Sequence, residues 1–286
     1  MRTGSFIIVC MSVLDAHTHI FPPELIRRRD RIAAHDRGFA SIYGDGRARM
    51  ADSSGLAAYM EEEGLGRVVA TCFPFRDGEV LRLANDYVLE TARSDRRIIP
   101  FIGVDRHDEE AALTEARRCF KEGARGVGEM AWYEGAFGER ERKGLEGLAG
   151  YMEQTGTVFM MHLNEQVGHV YPGKTKADFG EVARFVQDHP ALKIILAHLG
   201  GGICFYEFMP EIKKSFSLVY YDLAAAPFLY SPGLYAFAAG FLADKLLFGS
   251  DYPLLTLSRY RPALEALEQG VREKLLSGNG RRLFGD

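Results

Sequence analysis

The run Val13-Leu14-Asp15-Ala16-His17-Thr18-His19-Ile20 begins as a short apolar, β-prone stretch and ends in two histidines one residue apart. Side chains alternate faces along a strand, so His17 and His19 point the same way. Two imidazoles on one side of a strand end can close on a single metal ion, because neutral imidazole is the commonest nitrogen ligand for zinc. Asp15 falls on the same face by the same count, where its carboxylate would orient the ligands as an acceptor. Two surface histidines on an edge strand would give the same pattern, so the reading turns on whether later strands end in matching donors.

Outward from this stretch, eight short β-prone runs alternate with helical ones. The runs are 13–20, 67–73, 97–104, 124–130, 157–163, 193–199, 218–223 and 246–251. Several are almost continuously apolar, such as Ile98-Ile99-Pro100-Phe101-Ile102, as strands buried on both faces of a parallel sheet are. Helices are predicted over 53–63, 79–93, 108–122, 139–154, 178–188, 203–214, 232–243 and 259–276, with Asp108 as an N-cap and Gly64, Gly123 and Gly156 at C-terminal caps. Eight strand–helix units predict one (β/α)8 barrel domain spanning residues 1–286. An open doubly wound sheet is the alternative, but no Gly-x-Gly-x-x-Gly follows the first strand. Residues 21–50 form an unusually long insertion after that strand and carry Arg27, Arg28, Arg29, Arg31 and Arg37. They form either a lid whose arginines greet an anionic substrate or a solvated helix carrying charges.

The chain has 286 residues, of which 47% are hydrophobic and 26% charged, enough for a large single core. A net charge of −4 marks no nucleic-acid or anionic-membrane surface. The four cysteines, Cys10, Cys72, Cys119 and Cys204, form no Cys-x-x-Cys pair, which argues against a disulfide framework or a thiolate metal site and suits a reducing cytosol. No apolar run reaches the length of a membrane span, so a cytoplasmic location is expected. The apolar run 6–11 is too short for a signal peptide; it reads as a first strand or ragged start, with Met11 an alternative initiator.

Barrel active sites form at the C-terminal strand ends. There the runs present His17 and His19, then Glu129, then His162, then His198, then Asp251. Each alone has a structural explanation, as a core histidine or a capping carboxylate. Together they converge on one barrel mouth. The pattern Asp-Ala-His-Thr-His-Ile-Phe-Pro-Pro-Glu (15–24), with His162, His198-Leu-Gly-Gly-Gly and Gly249-Ser-Asp-Tyr-Pro, resembles the amidohydrolase superfamily. It is closest to the amidohydrolase-related branch, which holds both hydrolases and non-oxidative decarboxylases. The ending 276–284 is similar to that branch's closing helix, with Gly280 where alanine is more usual.

The resemblance implies that His17, His19, His162 and Asp251 bind one divalent ion, zinc first and manganese second, with His198 beside it as a catalytic residue. Gly126-Val-Gly-Glu129 resembles the fourth-strand end of the TatD-like hydrolases, where such a glutamate bridges two metals. In that version His162 and His198 hold the second ion. The leading reading is hydrolysis of an amide, ester or lactone in a small, anionic substrate. A zinc-like ion activates water, Asp251 moves its proton, and His198 steadies the oxyanion. The alternative is decarboxylation of an aromatic or unsaturated acid, and a remote one is an inactive barrel with a binding role. Substrate contacts are expected from Arg27, Trp132, Tyr171 and Asp222, with Tyr133, His169 and Lys174 as lesser candidates and His107 as a helix-start residue. The resemblance also suggests a homodimer.

Overall fold

The computed structural model describes residues 12–285, so Cys10, the run 6–11 and Met11 lie outside the described residues. Eight parallel strands run in chain order around one sheet: β1 (Val13–His19), β2 (Leu65–Thr71), β3 (Ile98–Ile102), β4 (Gly126–Met130), β5 (Val158–Met161), β6 (Lys193–Leu196), β7 (Val219–Asp222) and β8 (Leu246–Leu247). The first and last strands close on each other. The Ala16 N–H donates to the Phe248 carbonyl at 2.8 Å, Asp251 N–H to His17 O at 2.9 Å and His19 N–H to Tyr252 O at 2.7 Å. The result is the expected (β/α)8 barrel.

Local chemistry places the helices where the periodicity puts them. The helix Ser53–Glu63 starts on the Asp52 carboxylate and stops at Gly64 with φ +71°. Asp77, Asp108 and Asp178 cap three further helices by accepting backbone N–H groups that would otherwise be unpaired. Three predicted helices are broken. The run 139–154 divides around Gly144, and 203–214 divides at Pro210, which opens a new helix because it lacks an N–H to continue the old one. The run 259–276 divides into Leu257–Glu265, Gln269–Glu273 and a π turn.

Inside the barrel, Leu14, Ala16, Val69, Phe101, Met160, Ile195 and Leu247 fill the N-terminal half, and Phe284 of the closing helix joins them from below. Asn279 anchors that helix, donating to Ala243 O at 2.9 Å and Leu246 O at 2.8 Å. Gly280 fits here because a Cβ would stand 3.0 Å from Leu14 Cδ1.

β1 is not regular. Its pairing with β2 slips between Asp15 and Thr18, so the inward set changes from Leu14 and Ala16 to His17 and His19. Asp15 therefore does not share the histidines' face, which corrects the alternation count. Its Oδ2 accepts from the Tyr59 hydroxyl at 2.8 Å, and its Oδ1 accepts the N–H groups of His17 and Ser250 at 3.1 and 3.0 Å. It ties β1 to the loop bearing Asp251 and leaves the imidazoles alone.

The insertion 21–50 folds into Pro23–Arg27, Arg29–Ala33 and Arg37–Tyr43. Phe21, Phe39 and Tyr43 are buried and pack with Phe73 and Phe75, with Phe39 stacked on Tyr43 at 4.8 Å. The segment is a packed part of the barrel top, charged on its outer face. No helix among the described residues is long and apolar enough to cross a membrane.

Candidate metal centre

The donors predicted at the strand ends meet at the barrel mouth. His17 and His19 bring their Nε2 atoms to 3.1 Å of each other, and His19 Nε2 lies 3.3 Å from Asp251 Oδ1. From the opposite side, His198 Nε2 and His162 Nδ1 stand 3.1 Å apart. Glu129 occupies the middle. Its Oε1 lies 2.8 Å from His162 Nδ1, 3.2 Å from His198 Nε2 and 3.6 Å from His17 Nε2, and its Oε2 lies 3.8 Å from His19 Nε2. Apart from Asp251, all of these residues are at most 9% exposed.

Among the described residues, His17, His19 and Asp251 have all their ligand atoms within 4.8 Å of one another, as do His17, Glu129 and His198, and Glu129 Oε1, His162 Nδ1 and His198 Nε2 stand closer still, within 3.2 Å. The donor chemistry fits a divalent ion. Two nitrogens on one tetrahedral zinc lie about 3.3 Å apart, given bonds of about 2.05 Å, close to the separations found. Neutral imidazoles facing one another with their lone pairs repel unless a cation lies between them. Histidine and carboxylate donors suit zinc and manganese alike.

The electrostatics carry the same demand for positive charge. Burial pushes Glu129 upward, but His162 and His17 outweigh it and hold the carboxyl well below its usual range. Burial also raises Asp251, yet the hydrogen bond to His19 and the field of His17 bring it down to about 2. Burial opposes charge on His17 and His198, and the carboxylates prevail. Glu129 and Asp222 raise His17 well above the ordinary imidazole value, and Glu129 takes His198 up to about 9. Protons and a metal ion compete for this place.

Strain and close packing build the site. Among the described residues four non-glycine positions have positive φ, including His198 at +55° and Asp251 at +63°; each conformation costs on the order of 1–2 kcal/mol. The predicted strand 193–199 ends at Leu196 for this reason, since residues 198–202 take left-handed backbone. Asp222 Oδ1 accepts the His198 N–H at 2.8 Å and the Ala224 N–H at 3.1 Å, while its Oδ2 holds His17 Nδ1 at 2.8 Å. Glu129 reaches the centre because Gly128, at φ +144°, lies against Met160, where a Cβ would stand 2.6 Å from the carbonyl oxygen. The Thr71 hydroxyl donates to the Gly128 carbonyl.

Above the donors is a cavity of about 550 Å³ with His19, Glu129, His162, His198 and Asp251 on its floor. Tyr43, Phe73, Tyr133, Tyr171 and Phe228 contribute to its wall, and Arg47 and Arg49 stand at its rim. Of the four predicted substrate contacts, only Tyr171 lines it. Arg27 is on the exposed surface of the first insertion helix, because its neighbour Leu25 is the residue turned into the core. Trp132 is buried behind the wall against Phe137, at 4.8 Å between rings. Asp222 is 0% exposed beneath His17, where it orients histidines and caps the loop. His169 lines the cavity, Lys174 clamps its own loop through Val167 O and His169 O, and exposed His107 stands just before Asp108, the N-cap of the helix Glu109–Lys121. Sequence reasoning reaches Arg47 only as part of the Gly-rich piece Gly44-Asp45-Gly46-Arg47 of the insertion, and it does not single out Tyr43, Arg49 or Asn164. Only Asn164 carried a signal, standing two residues after His162 as His19 stands after His17.

A family model described as amidohydrolase matches residues 14–285. No curated protein matches the chain. Among solved structures, a 5-carboxyvanillate decarboxylase from Novosphingobium aromaticivorans, complexed with manganese and 4-hydroxy-3-methoxy-5-nitrobenzoic acid, aligns at a TM-score of 0.76 and 15% identity, covering 96% of this chain and 96% of that one. A 2,6-dihydroxybenzoate decarboxylase from Rhizobium aligns at 0.66 and 17%, covering 96% and 98%. A probable 2-pyrone-4,6-dicarboxylic acid hydrolase from Acinetobacter baumannii, with citric acid bound, aligns at 0.58 and 14%, covering 96% and 100%. At these identities the likeness is one of fold.

Proposed function

The chain belongs to the amidohydrolase family, and from that premise we propose that it is a divalent-metal-dependent, non-oxidative decarboxylase of an aromatic or unsaturated carboxylic acid. The observation that carries this reading is the shape and chemistry of the cavity. Aromatic rings line its wall, five candidate metal donors form its floor, and two arginines stand at its rim. A flat, conjugated acid suits such walls, since ring faces pack against ring faces. The likeness to decarboxylases of hydroxylated benzoic acids supports it. Hydrolysis, favoured by the sequence alone, becomes the second reading, supported by Glu129 at the centre of the donors and by the likeness to a lactone-type hydrolase.

A divalent ion, when bound, would supply positive charge that orients the substrate's oxygens and stabilises developing negative charge. His17, His19, His162 and Asp251 would hold it, with Glu129 and His198 completing the floor. Decarboxylation breaks the bond from ring carbon to carboxylate, leaves the electron pair on carbon, and needs one proton delivered there. Asp251 is the carboxylate placed to take that proton from solvent and relay it to the carbon, since its side chain keeps 17% exposure while Glu129 keeps 4%. His198, fixed by its Nδ1 on Ala224 O at 2.9 Å, presents Nε2 as the second proton-handling group. Arg49 has no ion-pair partner among the described residues and would hold a further anionic substituent; Arg47 is engaged by Asp45.

The test is turnover of a panel of hydroxybenzoates and of small lactones and esters by protein loaded with manganese or zinc. The expected result is CO2 release from an aromatic acid, with one deuterium at the vacated carbon when the reaction runs in D2O. Lactone or ester turnover without any CO2 would replace this reading with the hydrolase.

A further inference from the structure

Asn164 is 2% exposed and stands where β5 passes into the loop that walls the cavity. The backbone N–H of Thr175 points at its Oδ1 from 2.8 Å, and the Thr175 hydroxyl lies 3.2 Å away. A backbone N–H can only donate, so the side-chain atom facing it is the amide oxygen, whichever way the amide was first placed. His162 Nε2 lies 2.7 Å from that same oxygen and 3.1 Å from the Gly173 carbonyl. Both partners accept, so Nε2 must carry the hydrogen. A neutral imidazole then has its lone pair on Nδ1, the atom 2.8 Å from Glu129 and 3.1 Å from His198.

The other imidazoles whose outer nitrogen is held are arranged the opposite way. His17 places Nδ1 on Asp222 and His198 places Nδ1 on Ala224 O, so each offers Nε2 to the centre. His162 is reversed, and Asn164 is the side chain that reverses it. Asn164 is itself held from two sides. Its backbone carbonyl accepts from Gln166 Nε2 at 2.7 Å, and Gly201 packs so closely on that backbone carbonyl that a Cβ would collide with it.

We propose that Asn164 is a positioning residue that fixes His162 as the Nε2–H tautomer, presents Nδ1 to the metal, and joins this ligand to the Gly173–Thr175 end of the cavity loop. The inference rests on the metal centre but is independent of which reaction that centre runs. Outer hydrogen-bond partners of metal-ligating histidines typically contribute 10- to 100-fold in metal affinity.

The experiment titrates Mn2+ into metal-stripped protein and reads the histidine side-chain tautomers by long-range proton–nitrogen NMR. Asn164→Leu, which keeps the γ-branched shape and removes the acceptor, should weaken Mn2+ binding about 10- to 100-fold. Asn164→Asp, which keeps an acceptor oxygen facing His162 and Thr175, should restore it to within about threefold. Wild-type affinity in Asn164→Leu overturns the proposal, and so does a loss that Asn164→Asp fails to restore. If Asn164→Leu does not fold, the wild-type spectrum decides. A hydrogen on His162 Nε2, alone or together with one on Nδ1, sustains the assignment, and one on Nδ1 alone overturns it, even if the protein binds no metal.

Discussion

The floor of the cavity and its wall are built on different principles. On the floor, the functional atoms hang from strand ends, where backbone pairing fixes each side chain's direction and buried partners such as Asp222 remove its remaining freedom. The wall comes from loops and the insertion, and its rings are placed by tertiary packing such as Tyr43 on Phe39 and Tyr133 on Phe73. The floor should therefore tolerate almost no change, while the wall should tune substrate affinity and leave the metal in place.

His17→Ala should separate the two most sharply. Removing the imidazole shared by the His19–Asp251 and Glu129–His198 donor groups should reduce bound metal to near zero and lower kcat/KM by on the order of 10³-fold or more. Elemental analysis beside kinetics checks this, and metal retained with activity intact would end the metal reading. Glu129→Gln asks what the central carboxylate does. If Glu129 bridges two ions, metal content should fall from about two per chain toward one. If it acts on protons or substrate, content should hold while kcat drops about 10²-fold.

The pH dependence of the metal-free floor has a definite sign. His198 is raised from 6.5 to about 9 and His17 is also raised well above its ordinary value, so their charged forms stabilise the fold fully below about pH 6.5. That contribution is lost as pH rises through about 9. Glu129 and Asp251 are depressed, so their contribution is lost only on strong acidification, outside this window. Metal-stripped protein should melt lower at pH 9 than at pH 6.5 by about 5 °C or more, whereas manganese-loaded protein should show a smaller drop, because rising pH removes the protons that compete with the ion. Equal slopes in the two forms would mean the histidines do not titrate in the apo site.

The barrel and the donors were legible because both follow from short-range periodicities: apolar strands at regular spacing, and His, Glu or Asp at their last positions. The count failed first at Asp15, where one irregular step in β1 exchanged the two faces, a displacement no local pattern announces. It failed at helix breaks that depended on Pro210 and Gly144, residues visible in the sequence but absorbed into longer amphipathic patterns. It failed most in the wall. Arg27 and Trp132 were chosen for residue type and proximity in sequence, yet Leu25 and Phe137 decide which way those segments turn. Asn164 could have been found by the alternation that marked His17 and His19.

The smallest expected effect tests the wall directly. Arg49→Ala should raise KM for an anionic substrate about tenfold, or about 1.4 kcal/mol, with kcat and metal content little changed. Arg27→Ala should leave KM within about twofold, because its side chain projects from the solvent face of the helix Pro23–Arg27 while the cavity rim is supplied by the segment after Tyr43. The pair is informative because both residues are exposed arginines of the same insertion and differ in little but position. If Arg27→Ala raised KM as much as Arg49→Ala, the effect would be one of general electrostatic attraction, fading together for both at high salt. If only Arg49→Ala does so, and the difference persists at high salt, the wall reads its substrate by contact.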